Sequence, residues 1–222
     1  MIELKDVCKI YRTEKIETIA LDHVSFSINE GEFVSIMGPS GCGKSSLLNI
    51  VGLLDSPSSG EVTLLDTDTG KLNDTLLSKF RNENIGFVFQ SFHLIPSLSV
   101  MDNVELPLIY RPGMSAKDRK RMVTEVLERL DLSHRLNHMP TQLSGGQCQR
   151  VAIARAIVGN PRLLLADEPT GNLDSRMGAE VMKLLHDINK RDGRTIVMVT
   201  HNEEQARQTD RILRFIDGRQ IQ

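Results

Sequence analysis

Gly38-Pro39-Ser40-Gly41-Cys42-Gly43-Lys44-Ser45, followed by Ser46, fits the spacing G-x-x-x-x-G-K-[ST]. Phe33–Met37 before it reads as a short buried strand, and Ser46–Val51 after it as the opening of a helix. A phosphate loop needs that context. Glycines let the backbone curl so that successive N–H groups point at an anion, and the helix N-terminus adds partial positive charge. Lys44 would reach the β- and γ-phosphates, and the Ser45 hydroxyl would ligate Mg²⁺. A glycine-rich turn matches such a spacing by chance; a strand before it and a helix after it make the match specific.

Upstream, Ile2–Ile10 alternates loosely and reads as an edge strand, with Tyr11 after it. Ala20–Ile28 reads as a second strand. An aromatic ring at Tyr11 can stack on a base or simply pack. Downstream, Ser56–Gly60 is a turn, Glu61–Leu65 a strand, Asp66–Asn73 a polar loop and Leu76–Arg81 a short helix. Ile85–Phe89 is a buried strand that ends at Gln90.

The character changes at Ser91. Ser91–Ser99 is a connection with unusual apolar content: Phe92, Leu94, Ile95, Pro96 and Leu98. Such a loop is either a core lid or a docking surface. Met101–Leu108 and Ser115–Leu130 read as helices, broken by Arg111-Pro112-Gly113. Helix follows helix with no strand between, which predicts a helical subdomain inserted in an α/β body. Leu143-Ser144-Gly145-Gly146-Gln147 then opens a strong helix through Ile157 and forms a second anion-ready N-terminus. Arg162–Ala166 is an apolar strand ending in Asp167-Glu168. Gly178–Lys190 is a helix, Thr195–Thr200 a strand ending at His201, Glu203–Thr209 a helix, and Ile212–Ile221 a closing hairpin.

Gln90, Asp167-Glu168 and His201 share one placement, directly after an apolar strand. In an open α/β sheet the carboxyl ends of strands form the ligand crevice, and the phosphate loop sits at such an end. Asp167 has the placement of a Mg²⁺-associated aspartate. Glu168 would polarise the attacking water as general base. Gln90 would ligate Mg²⁺ or orient that water, and His201 would hydrogen-bond the γ-phosphate. The Leu143–Gln147 cradle is surplus to a single-chain site. It is either a second ligand site or an element used in trans on another copy's nucleotide.

Composition narrows the class. The chain has 222 residues, 40% hydrophobic and 25% charged, with a formal net charge of −2. That is ordinary globular composition with no nucleic-acid footprint. Its densest basic run, Lys117–Arg121, reads as a solvated helix face. Cys8, Cys42 and Cys148 are far apart and have no metal-ligand spacing, which suits reduced thiols. Cys42 lies inside the phosphate loop, so a thiol reagent there is expected to block nucleotide. No signal peptide is evident, and no apolar run approaches the ~18 residues of a membrane span. Work at a membrane would go through a partner.

These residues resemble the ABC-type ATPases, the nucleotide-binding subunits of ATP-binding cassette transporters, over essentially the whole chain. The motif order matches: aromatic loop at Tyr11, Walker A at Gly38–Ser46, Q-loop at Gln90, signature at Leu143–Gln147, Walker B at Leu163–Asp167 with Glu168, D-loop at Asn172–Asp174 and switch histidine at His201. The resemblance implies an α/β P-loop NTPase fold with a RecA-like core sheet, an antiparallel β subdomain and an inserted α-helical subdomain. One ABC ATPase domain would span 1–222, with 1–90 and 158–222 as core plus β subdomain and 91–157 as the helical part.

The same resemblance implies a head-to-tail homodimer that sandwiches two Mg-ATP. Ser144, Gly145, Gly146 and Gln147 would contact nucleotide in trans, Asp174 would cross the interface, and Tyr11 would stack on adenine. Gly86–Phe92, Asn103–Leu108 and Asp167–Asp174 resemble the group holding LolD, the MacB ATPase domain and FtsE. That implies a separate permease of the MacB, LolCE or FtsX type, with this chain peripheral on the cytoplasmic face of the inner membrane. A chain that ended at Gln222 would lack the regulatory domain of sugar-importer ATPases, which argues for a minimal ATPase. A soluble ATPase of an iron-sulfur assembly scaffold is the rival, and transport is not separable here from control of a periplasmic enzyme.

Overall fold

The computed structural model describes residues 1–12 and 16–221. Two sheets organise it. A four-stranded sheet has the order β2-β1-β4-β5. Its strands are β1 (Ile2–Arg12), β2 (Glu17–Ile28), β4 (Ser59–Leu64) and β5 (Thr67–Asp68), all paired antiparallel. A six-stranded sheet has the order β10-β9-β3-β8-β7-β6. Here β3 (Phe33–Met37), β6 (Ile85–Phe89), β7 (Leu163–Asp167), β8 (Thr195–Val199) and β9 (Arg211–Ile216) run parallel, and β10 (Arg219–Gln220) closes an antiparallel edge.

The parallel strands are continuous apolar runs because both of their faces are covered. Alternate residues divide between two cores. Val34, Ile36, Leu163, Leu165, Val197 and Val199 join the antiparallel sheet and α1 (Lys44–Val51). Phe33, Leu164, Ala166, Ile196 and Met198 face the other way. They pack with α3 (Val100–Ile109), α4 (Ala116–Arg129), α5 (Gly145–Ile157) and α6 (Ser175–Asp192). Each such side chain, fully buried, contributes about 1.5–3 kcal/mol relative to exposure. The short α2 (Asp74–Asn84) and α7 (Glu203–Ala206) complete the set. Among the described residues no helix is long and apolar enough to cross a membrane.

One expectation needs correcting. β1 is not an edge strand; it lies between β2 and β4. Its alternation looks loose because register breaks at Asp6 and Cys8 interrupt the two-residue period. The supposed polar loop 66–73 also holds β5 and a 3₁₀ turn over Thr69–Lys71. The β4–β5 hairpin turns on Leu65 and Asp66, with φ of 50° and 61°. Two positive φ values define the type I′ turn that suits right-twisted strands.

Candidate active site

Sheet register assembles the site. Ile36 pairs with Val199, Val199 with Asp167, and Asp167 with Phe89. These four residues form one row across the sheet. The phosphate loop opens at Gly38, two residues beyond the row. His201 lies two beyond it, Glu168 one, and Gln90 one. Four chemistries predicted from strand ends therefore meet at one edge.

In the loop, Gly41 and Gly43 have φ of 81° and 98°. A Cβ on Gly43 would lie 2.1 Å from the Ala20 carbonyl oxygen, so the loop is seated directly on β2. Lys44 is buried and its Nζ donates to the carbonyls of Gly38 (2.7 Å) and Pro39 (2.8 Å). Ser40 and Ser45 are exposed, Ser45 in the first turn of α1. Cys42 turns inward: it is buried in the core, with Sγ 3.8 Å from Lys44 Nζ. It is therefore not the accessible thiol that its place in the loop suggested. Tyr11 lies within β1, its ring half-exposed and its hydroxyl 3.0 Å from Asp55 Oδ2 and 3.4 Å from Ser46 Oγ. Lys9 Nζ sits 5.0 Å from the centre of that ring and ion-pairs with Asp55 at 2.6 Å.

Asp167 is partly buried. Burial, then the neighbouring Glu168, raise its pKa above the ordinary carboxylate value, while Lys44 opposes them. Glu168 has a φ of 45°, donates its N–H to the Val199 carbonyl (2.9 Å), and holds Oε2 3.1 Å from His201 Nδ1. A left-handed, non-glycine backbone at that position is strained, and such strain gathers at functional sites. Gln90 pairs side chain to side chain with Asn172 (3.2 Å), and Asn172 Nδ2 donates back to the Gln90 carbonyl (3.1 Å).

The second cradle is a capping box. Ser144 Oγ accepts from the Gln147 N–H (3.3 Å), and Gln147 Oε1 accepts from the Ser144 N–H (3.0 Å). Asp174 caps α6 by accepting from the Met177 N–H (2.9 Å). The nearest atoms to Cβ positions on Gly145 and Gly146 belong to Leu173, Phe92 and Met177. The cradle thus abuts the segment holding Asp174 and the loop after Gln90.

Three residues that sequence reading passed over hold this arrangement. Arg155 of α5 donates to the carbonyls of Phe92 (2.7 Å) and His93 (2.5 Å). Gln149, fully buried, donates to the Pro169 carbonyl beside Glu168. Asn103, fully buried in α3, bonds Ile95 N–H (2.8 Å) and the carbonyls of Ile95, Leu98 and Ser99. An asparagine on the apolar face of a helix was the available signal, since such residues are there for their hydrogen bonds. Asn103→Ala is expected to cost about 2–4 kcal/mol, because it strips partners from several backbone groups. Urea melts would show it; a loss of under about 1 kcal/mol would contradict the assignment.

Sheet order and strand-end loop together define a phosphate-loop nucleoside triphosphatase. A family model described as ABC transporter matches residues 21–171. The ABC transporter ATP-binding protein MJ0796 of Methanocaldococcus jannaschii is 52% identical over 221 residues, covering 98% of this chain and 94% of the relative. The macrolide export ATP-binding/permease protein MacB of Chlorobium luteolum is 51% identical over 218 residues, 98% of this chain but 32% of that longer relative. The dimeric post-hydrolysis structure of MJ0796 bound to ADP and Pi matches with a TM-score of 0.92 at 50% identity, covering 100% of this chain and 97% of the other. The chain belongs to the ABC transporter family, of which it is an ATP-hydrolysing subunit.

Proposed function

We propose that two copies of this chain close head to tail around two Mg-ATP and so drive a separate membrane permease of the MacB, LolCE or FtsX type. The observation that carries the dimer is the second cradle. Ser144–Gln147 is a capped, anion-ready helix start whose neighbours are Phe92, Leu173 and Met177, whereas the chain's own phosphate loop is seated on β2. Its use in trans resolves the duplication, with Asp174 at the interface. The dimeric state of the solved MJ0796 structures supports this.

The donor set fits a hard cation beside phosphate. Asp167 is a partly buried carboxylate beside a second one, with Lys44 opposing its charge. Ser45, Gln90 and Asp167 would hold Mg²⁺ through oxygen atoms, and the ion would neutralise phosphate charge. Glu168 accepts a proton from the attacking water as its oxygen bonds to the γ-phosphorus, and the bond to the β-phosphate oxygen breaks to release ADP. His201 braces Glu168 through Nδ1 and leaves Nε2 for a γ-phosphate oxygen. Tyr11 stacks on adenine.

An apolar groove of about 800 Å³ suits the permease. Leu54, Phe87, Phe89, Leu106 and Tyr110 line it, and Ile109 and Tyr110 stand exposed on the same helix end. A groove of this kind takes an amphipathic helix. The chain would then sit on the cytoplasmic face of the membrane by attachment to that partner.

The trans arrangement has a direct test. A Lys44→Ala chain lacks its own phosphate loop function, and a Gly145→Asp chain repels phosphate at its cradle. Each alone should be inactive. Mixed, they form heterodimers with one intact composite site, and ATPase activity should reappear in proportion to heterodimer measured with two affinity tags. Verified heterodimers with no recovered activity would overturn the trans assignment.

A further inference from the structure

Away from the strand-end site, the antiparallel sheet gathers three side chains of metal-ligating type. A Cys8 Sγ, an Asp22 carboxylate oxygen and a His23 ring nitrogen lie within 4.8 Å of one another. Sequence spacing hid this, because the gathering is made by two bulges. Val7 pairs with Val24 and Lys9 with Leu21, so Cys8 alone opposes both Asp22 and His23. Leu4 pairs with Phe26 and Val7 with Val24, so Lys5 and Asp6 oppose Ser25. Asp6 and His23 each have a φ of 52°. Bulges re-aim side chains that an unbroken ladder would send to opposite faces.

The atoms are poised as ligands. Asp6 Oδ1 lies 2.6 Å from His23 Nδ1 and raises the His23 pKa; a neutral ring with its proton held on Nδ1 by Asp6 presents the Nε2 lone pair, so a metal ion there displaces the second ring proton. Nε2 faces Asp22 Oδ1 at 3.8 Å, too far for a hydrogen bond. That gap is close to the span of two ligands whose bonds to one ion are about 2.0–2.2 Å each. Arg219 occupies only the other oxygen, Oδ2, at 2.6–2.7 Å. Cys8 Sγ accepts the His23 backbone N–H at 3.3 Å. Among the contacts described, no lysine or arginine meets His23 Nε2, Asp22 Oδ1 or Cys8 Sγ, where three side chains of ligand type converge.

We propose that Cys8, Asp22 and His23 bind one thiolate-preferring divalent transition-metal ion, with Zn²⁺ the best match, and that Asp6 orients the imidazole. Cysteine, histidine and carboxylate with one position left for water is a tetrahedral set that suits Zn²⁺ over Mg²⁺. A carboxylate behind the imidazole is the usual support for such a ligand. Asp22 directly follows Ala20-Leu21, the pair that lies against the phosphate loop at Gly43. The site would clasp β1 and β2 together beneath that loop.

The test uses the full chain, reduced, stripped of metal, free of nucleotide and without a histidine tag. Co²⁺ is the probe. One equivalent should bind with a tetrahedral visible spectrum and a thiolate-to-cobalt charge-transfer band, and Zn²⁺ should displace it and raise the melting temperature. Cys8→Ser should lose the charge-transfer band. Asp6→Ala should weaken binding by about 10–100-fold. His23 is exposed, so His23→Ala should fold normally and weaken binding at least as much. No charge-transfer band in the unaltered chain, a band that survives Cys8→Ser, or unchanged affinity in His23→Ala would each overturn the site.

Discussion

Replacing Glu168 with glutamine should leave ATP binding intact and slow hydrolysis by at least about 100-fold, the scale of a positioned general base. The substitution is nearly isosteric. The backbone anchor from Glu168 N–H to Val199 survives it, and an amide oxygen can still meet His201. What is lost is the ability to take a proton from water. Single-turnover phosphate release, set beside equilibrium nucleotide affinity, separates the two effects. Near-normal turnover would remove Glu168 from the proton-transfer role. The same variant should accumulate as an ATP-bound dimer in gel filtration, and a monomer at saturating Mg-ATP would count against closure around nucleotide. Trapped with Mg-ATP in detergent-solubilised native membranes, it should retain a permease with few spans and a large extracytoplasmic domain. A soluble assembly partner instead would favour the iron-sulfur scaffold reading.

Gly43→Ala should abolish measurable nucleotide binding and lower stability by about 2 kcal/mol or more, the tail of single substitutions that force a backbone to move. Its Cβ would sit 2.1 Å from the Ala20 carbonyl oxygen, a buttress that cannot rotate away, at a φ of 98°. Gly41→Ala is the control. Gly41 has a φ of 81° but no heavy atom within 4 Å of its Cβ position. It should cost about 1–2 kcal/mol of backbone strain and keep nucleotide affinity within about tenfold. Calorimetric titration with thermal melts distinguishes them. If the two variants behave alike, close seating of the loop on β2 is not what nucleotide binding needs.

Strand ends were the most legible feature of this chain. Parallel strands buried on both faces announce themselves as apolar runs, and the first polar residue after each marks the crevice. Gln90, Asp167-Glu168 and His201 were read as candidates that way, and register places them at one edge of the sheet, within two residues of a single row. Elements without a buried face were read poorly. No residue of α2 is fully buried, so its apolar period is weak; only Leu76–Arg81 stood out, although Asn73 caps a helix that runs to Asn84. A strand of two residues, β5, has no period to detect. Pro107 sits in the last turn of α3 and does not end it there. Contacts between side chains and distant carbonyls left no sequence trace. Arg155 looks like any helix arginine until Phe92 and His93 are found beneath it, and Cys8 meets His23 only because two bulges bring them together.

Arg155 has a mechanical consequence. One guanidinium pins two successive carbonyls of the loop after Gln90 to the same helix that begins at Ser144. Phe92 and His93 hold positive φ there, at 58° and 47°, so the loop is bent around its anchor rather than draped past it. Loop and helix are joined as a crank is keyed to its shaft. A push on residues 91–99 would therefore be carried through these two hydrogen bonds to the helix that starts at Ser144. Lysine in that place would leave a single-point pivot, and the linkage would slip.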